Sequence, residues 1–213
     1  LDLFLSTYSG LFLSAFISFF VVVDPFGTSA VFVSLTKNMA AAEKRRIAVK
    51  AMLIAISLIV VFSLLGQWVL NHMNVSLDAF RIAGGLLLFV TAFRMIMGFH
   101  DQDQLESEET VYKDKSAIAV FPLSIPLLAG PGVLTAALMF VTTAETVAGY
   151  SIVLGAAVLM QFIALGSLLS AAYLAKFFGE TGNSIIARVM GILLAGMAVQ
   201  FIADGYKSLM LSL

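Results

Sequence analysis

The chain has 213 residues, 61% of them hydrophobic and 12% charged, with a formal net charge of −1 and a mean hydropathy of +1.02. A soluble domain of this length does not have such a composition. Cysteine is absent, which excludes disulfides, iron–sulfur ligation and thiol redox chemistry.

Apolar runs long enough to cross a bilayer, about 20 residues each, fall at 10–36, 47–70, 80–99, 117–142, 147–174 and 185–210. They predict an all-α, polytopic membrane protein with six transmembrane helices. The first run has no basic residue ahead of it and is too long for a cleaved signal, so it is expected to stay as a helix. Leu1 in place of an initiator methionine leads us to expect a natural start slightly upstream.

Gly10 to Thr36 spans 27 residues, roughly 40 Å as a continuous helix, against a hydrocarbon core of about 30 Å. It is interrupted by Asp24-Pro25-Phe26-Gly27, followed by Thr28-Ser29-Ala30. Proline removes a backbone donor and clashes with the preceding turn, and glycine eases departure from helical geometry. The first helix is therefore expected to break near the membrane midplane. A carboxylate at that depth costs about 2.5–3.5 kcal/mol on insertion scales unless it meets a polar cavity or a proton. Asp24 is expected to cap the second half-helix through the N–H of Gly27 or Thr28, and to be able to bind a proton or an ammonium group.

The first loop carries Lys37, Lys44, Arg45, Arg46 and Lys50 against Glu43, whereas 71–79 and 143–149 have no Lys or Arg. Lys113, Lys115, Lys176 and Arg188 mark the third and fifth loops. The positive-inside bias puts loops one, three and five in the cytoplasm and both termini outside, with Lys207 the one residue against it. Helix two ends at Gln67-Trp68, suited to the outer interface. Arg81, Arg94 and Arg188 are expected to snorkel to the interfaces. Residues 100–116 form a linker rich in Asp and Glu without calcium-loop spacing, expected to be a solvated connector.

The fourth run repeats the first feature: Gly130-Pro131-Gly132, followed by Val133-Leu134-Thr135-Ala136. Pro122 and Pro126, one turn apart before it, are expected to be hinges or static kinks. In helices five and six, Gly166 with Ser170 and Gly191 with Ala195 are spaced for close helix packing. Gln161 and Gln200 are expected to glue helices together or line a pathway, and Asp204 to lie close to the outer interface.

A shift of 106 residues lays Pro25 on Pro131, Ser29 on Thr135 and Thr36 on Thr142, and a shift of 107 lays Arg81 on Arg188 and Gly84 on Gly191. Two three-helix repeats, 1–99 and 117–213, are implied. An odd number of helices per repeat makes the second inverted, an architecture of transporters. Two broken helices brought together would offer unpaired N–H groups and unpaired carbonyls in one dry cavity. That suits a small zwitterion. Pro25, Phe26, Gly27, Gly130, Pro131 and Gly132 would supply backbone, and Thr28, Ser29 and Thr135 hydroxyls.

Enzymatic readings find little. The only histidines are His72 and His100, and neither a Gly-x-Ser-x-Gly elbow nor a Walker-type loop is present. No cofactor, metal or nucleic acid is expected.

The chain resembles the MarC family of bacterial inner-membrane proteins along essentially its whole length. The resemblance is carried by Asp24-Pro25-Phe26-Gly27, by Arg81-Ile82-Ala83-Gly84-Gly85, by the stretch from Pro122 to Gly132, and by Ala198-Val199-Gln200-Phe201-Ile202 with Gly205. It implies six helices in inverted repeats and transport of small neutral amino acids such as glycine and alanine, in some members as export. Family sequences often carry Asn at the position of Asp24; a carboxylate there can couple to protons where an amide cannot. The expected function is a secondary transporter of small neutral amino acids in a bacterial or archaeal cytoplasmic membrane, with protons or sodium as candidate coupling ions. A channel for an ion or small solute and a non-transporting scaffold are the alternatives.

Overall fold

A computed structural model describes residues 2–98, 115–144 and 146–211. Every regular element among them is helical. Helix α1 (Asp2–Val23) ends at Asp24, the single residue separating it from α2 (Pro25–Leu35). Asp24 is left-handed, with φ 42° and ψ 73°. Proline at the first position of α2 sacrifices no hydrogen bond and fixes the helical φ. The ladder is re-formed across the break by Asp24 N–H to the Phe20 carbonyl at 3.1 Å and Thr28 N–H to the Asp24 carbonyl at 2.9 Å.

Helix α3 (Ala41–His72) carries the basic residues on its first turns. Helix α4 (Leu77–Met97) is capped by the Ser76 hydroxyl, which accepts from Ala79 N–H at 3.1 Å, and terminates at Gly98 with φ 76°. The chain is next described from a 3₁₀ turn at Lys115–Ala119. Across Val120–Leu128 it leaves helical geometry at Phe121 and Ile125, both extended and each joined to the following proline by a cis peptide. Helix α5 (Pro131–Thr143) follows at 53° to this segment. Helix α6 (Val147–Leu169) is capped by Thr146, and α7 (Ala171–Leu211) is interrupted at Gly179 (φ 63°, ψ −178°).

Among the described residues five helical spans are long and apolar enough to cross a membrane, and the bent pair 117–143 makes six when taken as one. The two breaks differ more than their sequences imply. The first interrupts an otherwise regular rod at one residue. The second is preceded by a nine-residue segment that leaves helical geometry at two places, because Pro122 and Pro126 each remove a donor and hold the residue before them extended. The expected fifth run, 147–174, also divides. Helix α6 stops at Leu169, and the sixth span starts only after Gly179, at Thr181.

Alanine-rich faces let the helices approach closely. Ala48, Ala51 and Ala55 of α3, Ala136 and Ala137 of α5, and Ala156, Ala157 and Ala164 of α6 are all buried in one cluster with Phe19, Leu123 and Leu128. A second cluster of Val21, Leu88, Ala92, Leu194 and Ala198 joins α4 and α7 to α1. Helices α4 and α7 run antiparallel, with their backbones brought together by glycines. A Cβ on Gly85 would stand 2.8 Å from the Ala198 carbonyl oxygen, one on Gly191 3.1 Å from that of Ala92, and one on Gly205 2.9 Å from that of Asp78. Gly166, expected to pack, instead faces outward with nothing within 4 Å of such a Cβ.

Replacing Gly85 by Val should therefore lower the thermal stability of the purified protein by about 1–3 kcal/mol, the usual cost of overpacking. Gly155→Ala, at a position open to 4 Å, should be neutral or gain up to about 1 kcal/mol from helix propensity. Equal melting temperatures for the two variants would contradict the glycine contact.

Candidate functional site

In lipid a break in a helix is tolerated only if its freed backbone groups find partners inside the protein. At the first break the partners are hydroxyls. Thr28 Oγ1 donates to the Val23 carbonyl at 2.9 Å, and Ser29 Oγ to the Pro25 carbonyl at 2.6 Å. Ser167 Oγ of α6 donates to the same Pro25 oxygen at 2.8 Å and lies 2.7 Å from Ser29 Oγ. At the second break Gln161 Nε2 of α6 donates to the Leu128 carbonyl at 2.9 Å. Ser124 Oγ lies 3.0 Å from the Ala51 carbonyl of α3 and 2.5 Å from that of Ala119, and Ala129 N–H bonds to the Ser124 carbonyl at 2.8 Å. Helix α6 thus clamps both breaks.

Asp24 stands at the N-cap position of α2 with its carboxyl group toward the Gly27 amide, as expected, but from an unusual backbone. A capping residue normally has extended backbone, from which its side chain folds over the first amides. From its left-handed position Asp24 makes no capping hydrogen bond, although its carboxyl group faces the amides of Gly27 and Phe26. Its Oδ1 is buried with no hydrogen-bond partner. The three glycines of the breaks make room for the protein itself. A Cβ on Gly27 would fall 2.1 Å from Asp24 Oδ2, one on Gly130 2.2 Å from the Pro126 carbonyl oxygen, and one on Gly132 2.1 Å from Leu88 Cδ2.

Between the breaks lies a cavity of about 350 Å³. Asp24, Phe26, Gly27 and Thr28 form one wall, and Pro122, Pro126, Gly130, Pro131 and Gly132 another. Leu88, Thr91, Arg94 and Met95 of α4, with Asn183 and Ala187 of α7, close the side. Phe26 is held there edge-on against Phe20 and Phe178, with ring centroids 6.2 and 6.0 Å away.

Several expected site residues stand behind this wall. Pro25, Ser29, Thr135 and Gln161 are buried. Thr135 Oγ1 donates to the Pro131 carbonyl at 2.8 Å, and its methyl group occupies the space a Cβ on Gly84 would need. Gln200 lies on the exposed face of α7, its amide donating to Asp204 Oδ1 at 2.7 Å.

The sequence reading missed Thr91, Arg94 and Asn183. Leu88, Thr91 and Met95 are spaced as one helix face, with Arg94 beside them, and that spacing was the available signal. Arg94, expected to snorkel, also lines the cavity. Arg81 departs from expectation: its Nε donates to Met139 Sδ at 3.0 Å, which turns it onto α5. Residues 99–114, with nearly all of the acidic linker and His100, lie outside the described residues. No three His, Cys, Asp or Glu side chains come together to hold a metal among the described residues.

Spans of this length and hydropathy, folded around a cavity between two broken helices, define a multi-pass integral membrane protein. The family model described as "MarC family integral membrane protein" matches residues 9–210, and the chain belongs to that family. It is 35% identical over 200 residues to a UPF0056 membrane protein of Methanocaldococcus jannaschii, covering 94% of this chain and 98% of the relative. A UPF0056 membrane protein of Aquifex aeolicus is 34% identical, covering 94% of each chain. UPF0056 membrane protein YhcE of Escherichia coli is 32% identical, covering 91% of each. No solved structure matches the chain.

The clamping role of α6 can be measured. Gln161→Ala leaves the Leu128 carbonyl without its donor and should cost about 1–3 kcal/mol of stability. Gln200→Ala on the exposed face should change it by less than about 0.5 kcal/mol. Thermal unfolding of the two variants side by side tests the difference.

Proposed function

We propose that the protein is a secondary transporter of small neutral amino acids of the glycine, alanine and serine kind, working by alternating access. The observation that carries this reading is a cavity walled by both helix breaks. Its volume of about 350 Å³ is at the small end of ligand pockets. Its sides are largely aliphatic, with Val22, Val31, Leu88, Leu127 and Val133. Such walls accept a short apolar side chain and leave a large polar one without partners.

Alternating access by rocking of two inverted repeats, 1–99 and 117–213, is supported by the pattern of helix contacts. That pattern is largely unchanged when the halves are exchanged: α1 meets α6 as Val120–Leu128 meets α3, α2 meets α6 as α5 meets α3, and α2 meets α7 as α5 meets α4, while α3–α6 and α4–α7 map onto themselves. With the basic loop after α2 taken as cytoplasmic and both termini outside, the Arg94 end of the cavity faces the cytoplasm.

Two outcomes follow for protein reconstituted in liposomes. Labelled alanine should show saturable counterflow, and Ala187→Phe, which fills the cavity from α7, should reduce it at least about tenfold without lowering the melting temperature. Sustained current with no counterflow would identify a channel instead. The counterflow that remains in Asp24→Asn should lose its pH dependence; unchanged pH dependence would place coupling elsewhere.

A further inference from the structure

Among the described residues that line the cavity, only Asp24 and Arg94 are charged. They approach it from different elements. Asp24 is at the break itself, with Oδ1 buried and unpartnered. Arg94 is on α4, six residues beyond Leu88, and Leu88 packs at the level of Gly132 and Val22. Six residues are roughly 9 Å of helix axis, a distance that an arginine side chain on the cavity wall can span toward the break, since side chains lean toward the N-terminus of their helix.

The amides that open α2 are already faced by the carboxyl group of Asp24. They are therefore poorly placed to receive a second anion. Proline at the first position of both α2 and α5 removes one donor from each helix end. The positive pole of the cavity must come from the start of α5 and from a cation. A guanidinium is the side chain best shaped to bind a carboxylate through two parallel hydrogen bonds.

We infer that Arg94 seats the carboxylate of the substrate while Asp24 receives its ammonium group, so that the cavity selects for a complete zwitterion. In an aliphatic pocket a ligand that lacks either group forfeits a charge-assisted hydrogen bond, and that difference supplies the selectivity. Thr91 and Asn183, on the same wall as Arg94, bracket the carboxylate end.

The inference rests on the amino-acid transporter reading, and one experiment separates the two. Binding of alanine and of alaninamide, which lacks the carboxylate, is measured for the wild-type protein, Arg94→Gln and Arg94→Lys. Wild-type protein should prefer alanine by about tenfold or more. Arg94→Gln should bind both alike, and Arg94→Lys should recover part of the preference. Failure of wild-type protein to bind alanine overturns the transporter reading. Alanine binding with the preference intact in Arg94→Gln overturns the role of Arg94 alone.

A second measurement does not alter Arg94. The chain has no cysteine, so Thr91→Cys carries a single thiol. Alanine should slow its modification by a thiol reagent and alaninamide should not; equal protection by both would overturn the assignment.

Discussion

A peptide group in lipid must be hydrogen-bonded by the protein, and this requirement organises the molecule. Two spans give up helical geometry in the middle, and the carbonyls around each break are met by side chains from the same span and from α6. Ser167 and Gln161, two turns apart on α6, reach the Pro25 and Leu128 carbonyls. Alanine on the facing surfaces of α3, α5 and α6 lets these short side chains reach a neighbouring backbone. Close packing and polar satisfaction are therefore one arrangement.

The breaks themselves were legible in the sequence. Asp24-Pro25-Phe26-Gly27 and Gly130-Pro131-Gly132 sit in runs too long to be one straight helix, and proline and glycine act locally, so their effect needs no tertiary knowledge. That both breaks border one cavity was legible too, through the offset relating the halves. What each glycine is for was not. Gly27, Gly130 and Gly132 border the cavity, and each also gives room to a neighbour: Asp24, the Pro126 carbonyl and Leu88. That assignment depends on who stands opposite.

Polar residues in apolar helices were the least legible. Arg81, Arg94 and Arg188 all sit near helix ends and read alike as snorkelling groups. Only the packing shows that one turns onto Met139 and another enters the cavity. Gln161 and Gln200 likewise have the same chemistry in neighbouring spans, but one is sealed against the second break and the other bonds along its own helix to Asp204. Single-residue polarity says that a partner is needed; it does not say on which side of the helix that partner lies.

Gly179 divides α7 into parts with different attachments. Just before it, Phe178 rests edge-on against Phe26 at the first break. Just after it, Thr181–Leu211 lies along α4 through Gly191 and Gly205. The joint between them has φ 63° and no heavy atom within 4 Å of where a side chain would begin. One ring is thus held to the break and one long rod to its antiparallel partner, and the backbone turns out of helical geometry between them. Asn183 and Ala187 lie on the rod within about two turns of that joint and line the cavity, so the direction in which the rod leaves Gly179 sets the cavity's width.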